Sequence, residues 1–115
     1  MTTAGSRVER HALVVGVRPD KRAEYLELHR AVWPEVEQTL RDCNVTNYSI
    51  YVFADILFAY YEYVGEDHAA DMARIAADPK TREWWTHTDP CQVRIADERV
   101  AGARWQPLDE VWHLS

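Results

Sequence analysis

Residues 47–64 read NYSIYVFADILFAYYEYV. Two runs rich in β-branched and aromatic residues, 47–52 (NYSIYV) and 56–64 (ILFAYYEYV), are parted only by Phe53-Ala54-Asp55. So short a separator between two strand-like runs predicts an antiparallel hairpin. Gly65 ends it. The rest of the chain has to cover at least one face of this hairpin, and its periodicity shows how.

Upstream, residues 11–17 (HALVVGV) are again β-forming and stop at Arg18-Pro19-Asp20, with Asp20 placed as a candidate helix N-cap. From residue 21 to about 42 the period becomes helical. At about 100° per residue, Tyr25, Leu28, His29, Val32, Trp33, Val36 and Leu40 fall in one stripe roughly 140° wide. Pro34 lacks an amide donor and should kink this helix or begin a new segment near Trp33.

Downstream, residues 66–77 are helical in character. Asp78 and Pro79 suit the N-cap and first position of a further helix over 80–87. Residues 89–107 show no stable period, and a structureless stretch of that length in a compact domain often covers a functional site. Residues 108–114 (LDEVWHL) read as a closing strand. The order β-α-β-β-α-β predicts an α+β, ferredoxin-like arrangement with the helices on one face of an antiparallel sheet. A core this small leaves the other face to be covered, so a homodimer is expected.

The chain has 115 residues, enough for one domain over 11–115 after a flexible N-terminal segment, 1–10. Its 47% hydrophobic and 28% charged residues are ordinary globular usage. The net charge of −6 and the lack of a basic stripe argue against nucleic acid as a partner. Cys43 and Cys91 lack metal-type spacing and are expected as free buried thiols. The longest apolar stretch, around residues 12–17, is far too short for a bilayer span. Residues 1–10 lack the apolar centre of a signal peptide, so a cytoplasmic protein with no membrane partner is expected.

Five Trp and six Tyr are many for this length. Their flat apolar faces and polar tips suit either a ligand pocket or a subunit interface. His29, in the helical stripe, is the most informative of the polar candidates. Burial there would favour the neutral imidazole, a suitable proton carrier near pH 7. The same pattern also suits a core histidine bonded to a backbone carbonyl. Tyr25, one turn earlier on the same side, reads as a ligand contact or as helix–sheet packing. Trp33 reads more simply as core.

Tyr48, Ile50 and Val52 share one strand face and Tyr51 takes the other, while Tyr60, Tyr61 and Tyr63 suit packing or an interface. Trp84 and Trp85 point about 100° apart on a helix, so one can pack while the other borders a cavity. An indole matches the C–H patches of a sugar ring, and neighbouring polar groups would fix its orientation. His87-Thr88-Asp89 is only a fragment of a metal site, and no metal is expected. Asp89 orients a ligand or ends a helix. Glu35 and Glu37 suit a helix N-terminus. No phosphate loop, nucleophile elbow or zinc-protease helix is present.

Several of these segments together resemble one family. Glu24-Tyr25-Leu26-Glu27-Leu28-His29 followed by Val32-Trp33-Pro34-Glu35 is similar to its Tyr-x-x-x-His and Ile/Val-Trp-Pro-Glu elements. Asn47-Tyr48-Ser49-Ile50-Tyr51, Leu57-Phe58-Ala59-Tyr60, Trp84-Trp85 with Thr88-Asp89, and Glu110-Val111-Trp112-His113-Leu114 match further motifs in order over roughly residues 11–115. The family is the L-rhamnose mutarotases, which are dimeric α+β barrels. The resemblance implies a cofactor-free isomerase that exchanges the anomers of a deoxyhexose, most simply L-rhamnose. It implies His29 as proton donor and Tyr25, Tyr48, Trp84 and Trp85 as sugar contacts.

Two departures stand out: a shorter hairpin turn, and residues 91–106 (CQVRIADERVAGARWQ), which match no family pattern. They keep open another deoxysugar, or a cofactor-free cyclase or monooxygenase of the same barrel type acting on a polyketide-like substrate. A non-catalytic sugar-binding or dimerisation module is a third reading.

Overall fold

The computed structural model describes residues 7–97, 99 and 104–115. Five strands, β1 (Glu9–Val17), β2 (Val45–Phe53), β3 (Ile56–Tyr63), β4 (Gln92–Val93) and β5 (Gln106–Leu108), form one sheet. Four helices accompany it: α1 (Arg22–Leu28), α2 (Pro34–Asp42), α3 (His68–Ala77) and α4 (Pro79–Thr88). The strand order is β2-β3-β1-β4, all antiparallel, with β5 also paired to β1. This is the expected ferredoxin-like α+β arrangement.

Registration along β1 and β3 explains which face is buried. Leu13 pairs with Ala59 and Val15 with Leu57. Because side chains alternate, these pairs share one face with Val17, Tyr61 and Tyr63, and the helices cover it. Two buried clusters result. Val15, Val17, Tyr25, Leu57 and Cys91 form one, and Cys43, Val45, Tyr61, Tyr63 and Ile75 form the other. Both cysteines are free and buried, as expected.

The opposite face carries the row Val14, Phe58 and Tyr51 across three strands, with Phe53 beyond it. Tyr51 is 63% exposed and Phe53 73%. No helix of the described residues covers this row.

Several boundaries differ from the sequence reading. β1 begins at Glu9, so residues 9 and 10 of the N-terminal segment 1–10 belong to the sheet, and residues 1–6 of it lie outside the described residues. Asp20 does not cap a helix: its carboxylate pairs with Arg18, and the chain enters α1 through a 3-10 turn at Pro19–Lys21. The break at Pro34 is real, and a second 3-10 turn, His29–Ala31, precedes it. Asp78 caps α4 as expected, accepting the Thr81 amide at 2.8 Å with Pro79 in the first turn.

The largest correction concerns the closing strand. Of residues 108–114 only Leu108 lies in a strand, as the last residue of β5; the edge of β1 is shared by β4 and β5, which together take up part of the supposedly structureless 89–107 stretch. Gly16 admits β4, since a Cβ there would lie 2.8 Å from the Val93 carbonyl oxygen. Beyond β5, Val111 is 97% exposed and Trp112 76%. Beyond Leu108 the tail pairs with no strand among the described residues. Residues 98 and 100–103, within the unmatched 91–106 segment, lie outside the described residues. On either side of them, Cys91 is fully buried and Trp105 packs on the first cluster.

Candidate active site

Between the helices and the sheet lies a cavity of about 690 Å³ whose wall includes Tyr25, His29, Tyr48, Trp84 and Trp85. Members of both buried clusters line it, among them Leu57 from one and Ile75 from the other. The volume falls in the range typical of small-molecule sites, roughly 300–1,000 Å³.

His29 sits at the C-terminal end of α1, half-buried, where the helix tightens into its 3-10 turn. Its Nδ1 is 2.9 Å from the Tyr25 carbonyl oxygen. A carbonyl can only accept, so Nδ1 carries the hydrogen and, in the neutral ring, Nε2 is left with the lone pair. Burial pulls the imidazole below its ordinary value, and the carbonyl bond opposes this only in part. The ring stacks on Tyr25 at 4.3 Å and meets the edge of Trp84 at 5.4 Å. Trp33 continues this aromatic row, 5.2 Å from Trp84, with the Lys80 ammonium over its ring. The arrangement holds a neutral imidazole in one orientation.

Tyr25 is 2% exposed and packs in the first core cluster. Burial raises its phenol well above the ordinary value, although the Gln92 side chain bonded to it works the other way. The group therefore stays protonated. Tyr48 reaches the wall through a defect in the sheet. Thr46 pairs with Glu62 and Ser49 with Tyr60, so Asn47 and Tyr48 together face Tyr61 alone. Asn47 takes a φ of 48°, which asparagine tolerates, and the bulge re-aims the next side chain. Tyr48 is 44% exposed as a residue, and desolvation raises its phenol above the ordinary value.

The tryptophan pair divides as its helical spacing suggests. Trp84 is 5% exposed and Trp85 36%, so one is a wall and the other a rim. Asp89 lies apart from the cavity wall: its carboxylate faces Arg104 at 3.7 Å, and it forms part of a shallow outer depression beside Trp85. Glu35 lies in the first turn of α2, as expected. Glu37 does too, and it also borders the cavity. Among the described residues, no group of three or more His, Cys, Asp or Glu side chains could hold a metal ion. No helix among them is long and apolar enough to cross a membrane.

Sequence reasoning gave no role to His11 or His68. His11 opens the strand-like run at 11–17 and His68 lies within the 66–77 helical stretch, but nothing local links them. Strand pairing does: His11 is the register partner of Tyr61.

The family model for L-rhamnose mutarotase matches residues 10–114. An L-rhamnose mutarotase of Rhizobium meliloti (strain 1021) is 34% identical over 110 residues, which cover 93% of this chain and 99% of that protein. The crystal structure of an L-rhamnose mutarotase from Formosa agariphila superimposes with a TM-score of 0.69 at 27% identity, covering 93% and 99% of the two chains. Tetracenomycin F2 cyclase from Streptomyces glaucescens, a type-II polyketide cyclase, gives a TM-score of 0.62 over 93% of this chain and 99% of its own. At 12% identity that likeness is one of fold alone.

Proposed function

The chain belongs to the L-rhamnose mutarotase family and interconverts the α and β anomers of a deoxyhexose pyranose, L-rhamnose; we propose that His29 carries the proton transfers. The observation that supports this role is the tautomer. With Nδ1–H fixed on the Tyr25 carbonyl, the basic Nε2 belongs to a side chain of the cavity wall.

The reaction breaks the bond between C1 and the ring oxygen. The C1 hydroxyl gives up its proton, C1 becomes an aldehyde, and the ring oxygen gains a proton. The aldehyde turns about the C1–C2 bond, and closure on its other face returns both protons and yields the other anomer. Nothing is oxidised or hydrolysed, so the steps balance without a cofactor. In this reading His29 Nε2 takes the C1 hydroxyl proton and gives it to the ring oxygen as the C1–O bond breaks, and closure runs the same transfer in reverse, from the new hydroxyl to the carbonyl oxygen. Both oxygens are attached to C1, so one imidazole, alone or with a bound water, is within reach of both. A positioned acid–base group contributes about 10²–10⁴-fold.

Tyr25, Tyr48, Trp84 and Trp85 hold the sugar. The indoles offer flat apolar faces to the ring's C–H bonds, and the phenols offer hydrogen bonds to its hydroxyls. The functional unit is residues 11–115. It acts as a cytoplasmic homodimer, its exposed sheet face with Tyr51, Phe53 and Phe58 closed by a second copy. Saturation-transfer NMR between the anomers of L-rhamnose tests the reading. Faster exchange with the protein present is expected, and exchange at the uncatalysed rate for every deoxyhexose would defeat it.

A further inference from the structure

Four side chains form a built array at the end of the cavity away from His29. The Tyr61 hydroxyl lies 2.8 Å from His68 Nε2. The two rings are nearly parallel, 8° apart, at 6.1 Å. His11 stacks across both, 4.2 Å from His68 and 4.9 Å from Tyr61. Glu9 in turn lies 3.2 Å from His11 Nε2. The array also meets Tyr63, whose ring lies edge-on to His68 with centres 5.1 Å apart and whose hydroxyl donates to Asp71. Of these residues only Tyr61 lines the cavity.

The hydroxyl of Tyr61 is held without being well used. Apart from His68, its one further partner is the Met72 sulfur at 3.8 Å, and a thioether is a weak acceptor. His68 opens α3, where the helix N-terminus disfavours a cation, and burial and the neighbouring His11 both pull it below its ordinary value. A neutral His68 can donate from Nε2 to the Tyr61 oxygen. The phenolic hydrogen is then left with no partner but the sulfur. Burial also pushes Tyr61 up to about 12, so that hydrogen stays on the oxygen. A ligand hydroxyl is a better acceptor than Met72.

Position separates this donor from the chemistry. Tyr25, which carries His29, packs with Leu57, and Tyr61 lies four residues farther along β3, roughly 13 Å at strand spacing. The Tyr48 ring lies 5.6 Å from that of Tyr61, and its charge would interact with both Tyr25 and Tyr61.

We propose that Tyr61 is a specificity-determining residue that donates a hydrogen bond to a ring hydroxyl of the bound deoxyhexose remote from C1, with His68 and His11 as its positioning residues. The inference rests on the anomer-exchange reading. It adds a polar contact at the far edge of the sugar, so that the pocket selects among sugars by their hydroxyl pattern as well as by ring shape.

The test is anomer exchange by saturation-transfer NMR on L-rhamnose and on its 2-, 3- and 4-deoxy analogues. Tyr61→Phe should raise KM for L-rhamnose about tenfold, one neutral hydrogen bond, with kcat nearly unchanged. Wild type should lose the same factor with one of the deoxy sugars, and Tyr61→Phe should be indifferent to that same deletion. His68→Gln, which keeps a donor near the Nε2 position, should stay near wild type, while His68→Leu should resemble Tyr61→Phe. An unchanged KM in Tyr61→Phe, or a penalty for the missing hydroxyl that persists in that variant, overturns the proposal while exchange itself stands. Should the variant fail to fold, wild type binding all three deoxy sugars as tightly as L-rhamnose overturns it equally. Absence of exchange in wild type removes the underlying reading as well.

Discussion

The imidazole of His29 is stacked on the phenol of Tyr25, ring centres 4.3 Å apart, while its Nδ1 donates to the carbonyl of that same residue at 2.9 Å. Two contacts from one helical turn thus fix both the plane of the ring and its tautomer. The side chain has little left to choose, and its remaining nitrogen is the basic one. A histidine satisfied by a backbone carbonyl is the usual description of a structural residue. In the proposed mechanism that same bond prepares Nε2 for proton transfer.

His29→Gln should lower kcat for L-rhamnose anomer exchange about 10²–10⁴-fold, the usual contribution of an acid–base group. Sugar binding should persist, because Tyr25, Tyr48 and the indoles are untouched. Exchange NMR and calorimetric binding on the same preparation separate the two effects. A variant that keeps wild-type exchange would show that His29 only packs, and binding without catalysis in wild type would point to a sugar-binding module.

The pH profile follows from the direction of the His29 shift. Burial lowers its value below 6.5, so the neutral, basic form prevails at pH 7 and is lost only further into acid. The acid limb of kcat/KM should therefore have its midpoint below pH 6.5. Folding stability obeys the same sign. Between the lowered value and 6.5 the unfolded chain binds the additional proton, so stability declines as pH falls through that window. An acid limb centred above 6.5 would contradict the assignment.

Trp84 and Trp85 should respond differently to truncation. Trp84 is 5% exposed and touches both His29 and Trp33, so Trp84→Ala should cost about 3–5 kcal/mol in urea denaturation. Trp85 is 36% exposed on the rim. Trp85→Ala should leave stability nearly unchanged and raise KM severalfold. Equal stability losses for the two would mean that Trp85 is a packing residue as well.

Much of this was legible in the sequence because it is local. The hairpin, the Pro34 break, the Asp78 cap and the His29–Tyr25 pairing all arise within a few residues, where periodicity and proline chemistry decide. The tryptophan pair divided as helical spacing requires. What could not be read depends on strand register. The closing strand was misplaced because β4 and β5, two and three residues long, carry too little pattern to see. The array of His11, Tyr61 and His68 joins three segments through strand pairing and the docking of α3. The bulge at Asn47 likewise exists only relative to Tyr61 across the hairpin.

That bulge makes a separate prediction. Deleting Asn47 would restore regular pairing, leaving Tyr48 opposite Tyr61 on the cavity-facing side but removing the local bend that aims its ring. Anomer exchange should show a raised KM for L-rhamnose, with far-ultraviolet circular dichroism unchanged. Asn47→Gly, which keeps the positive φ, should stay near wild type. Loss of function in both variants alike would mean that the Asn47 bond to Glu62, and not the bulge, is what matters.

The exposed face of the sheet argues for the homodimer and allows it to be tested. Tyr51 and Phe58 are register partners, Phe53 adjoins them, and all three are exposed, which is costly for strand residues of this kind left in water. Aromatic side chains in one cross-strand patch, with no helix over them, are a surface that a second copy can bury. The tail beyond β5 adds Val111 and Trp112 to the apolar area, held near the same sheet by the Arg10–Glu110 ion pair. Phe53→Asp would force a charge into that contact, while in a monomer the same residue, 73% exposed, would tolerate it freely. Analytical ultracentrifugation should show a dimer for wild type and a monomer, at micromolar concentration, for Phe53→Asp. A wild-type monomer, or a variant that sediments unchanged as a dimer, would place the contact elsewhere or remove it. If the variant becomes monomeric yet retains the exchange rate, each cavity works alone and the second copy serves only to cover the sheet.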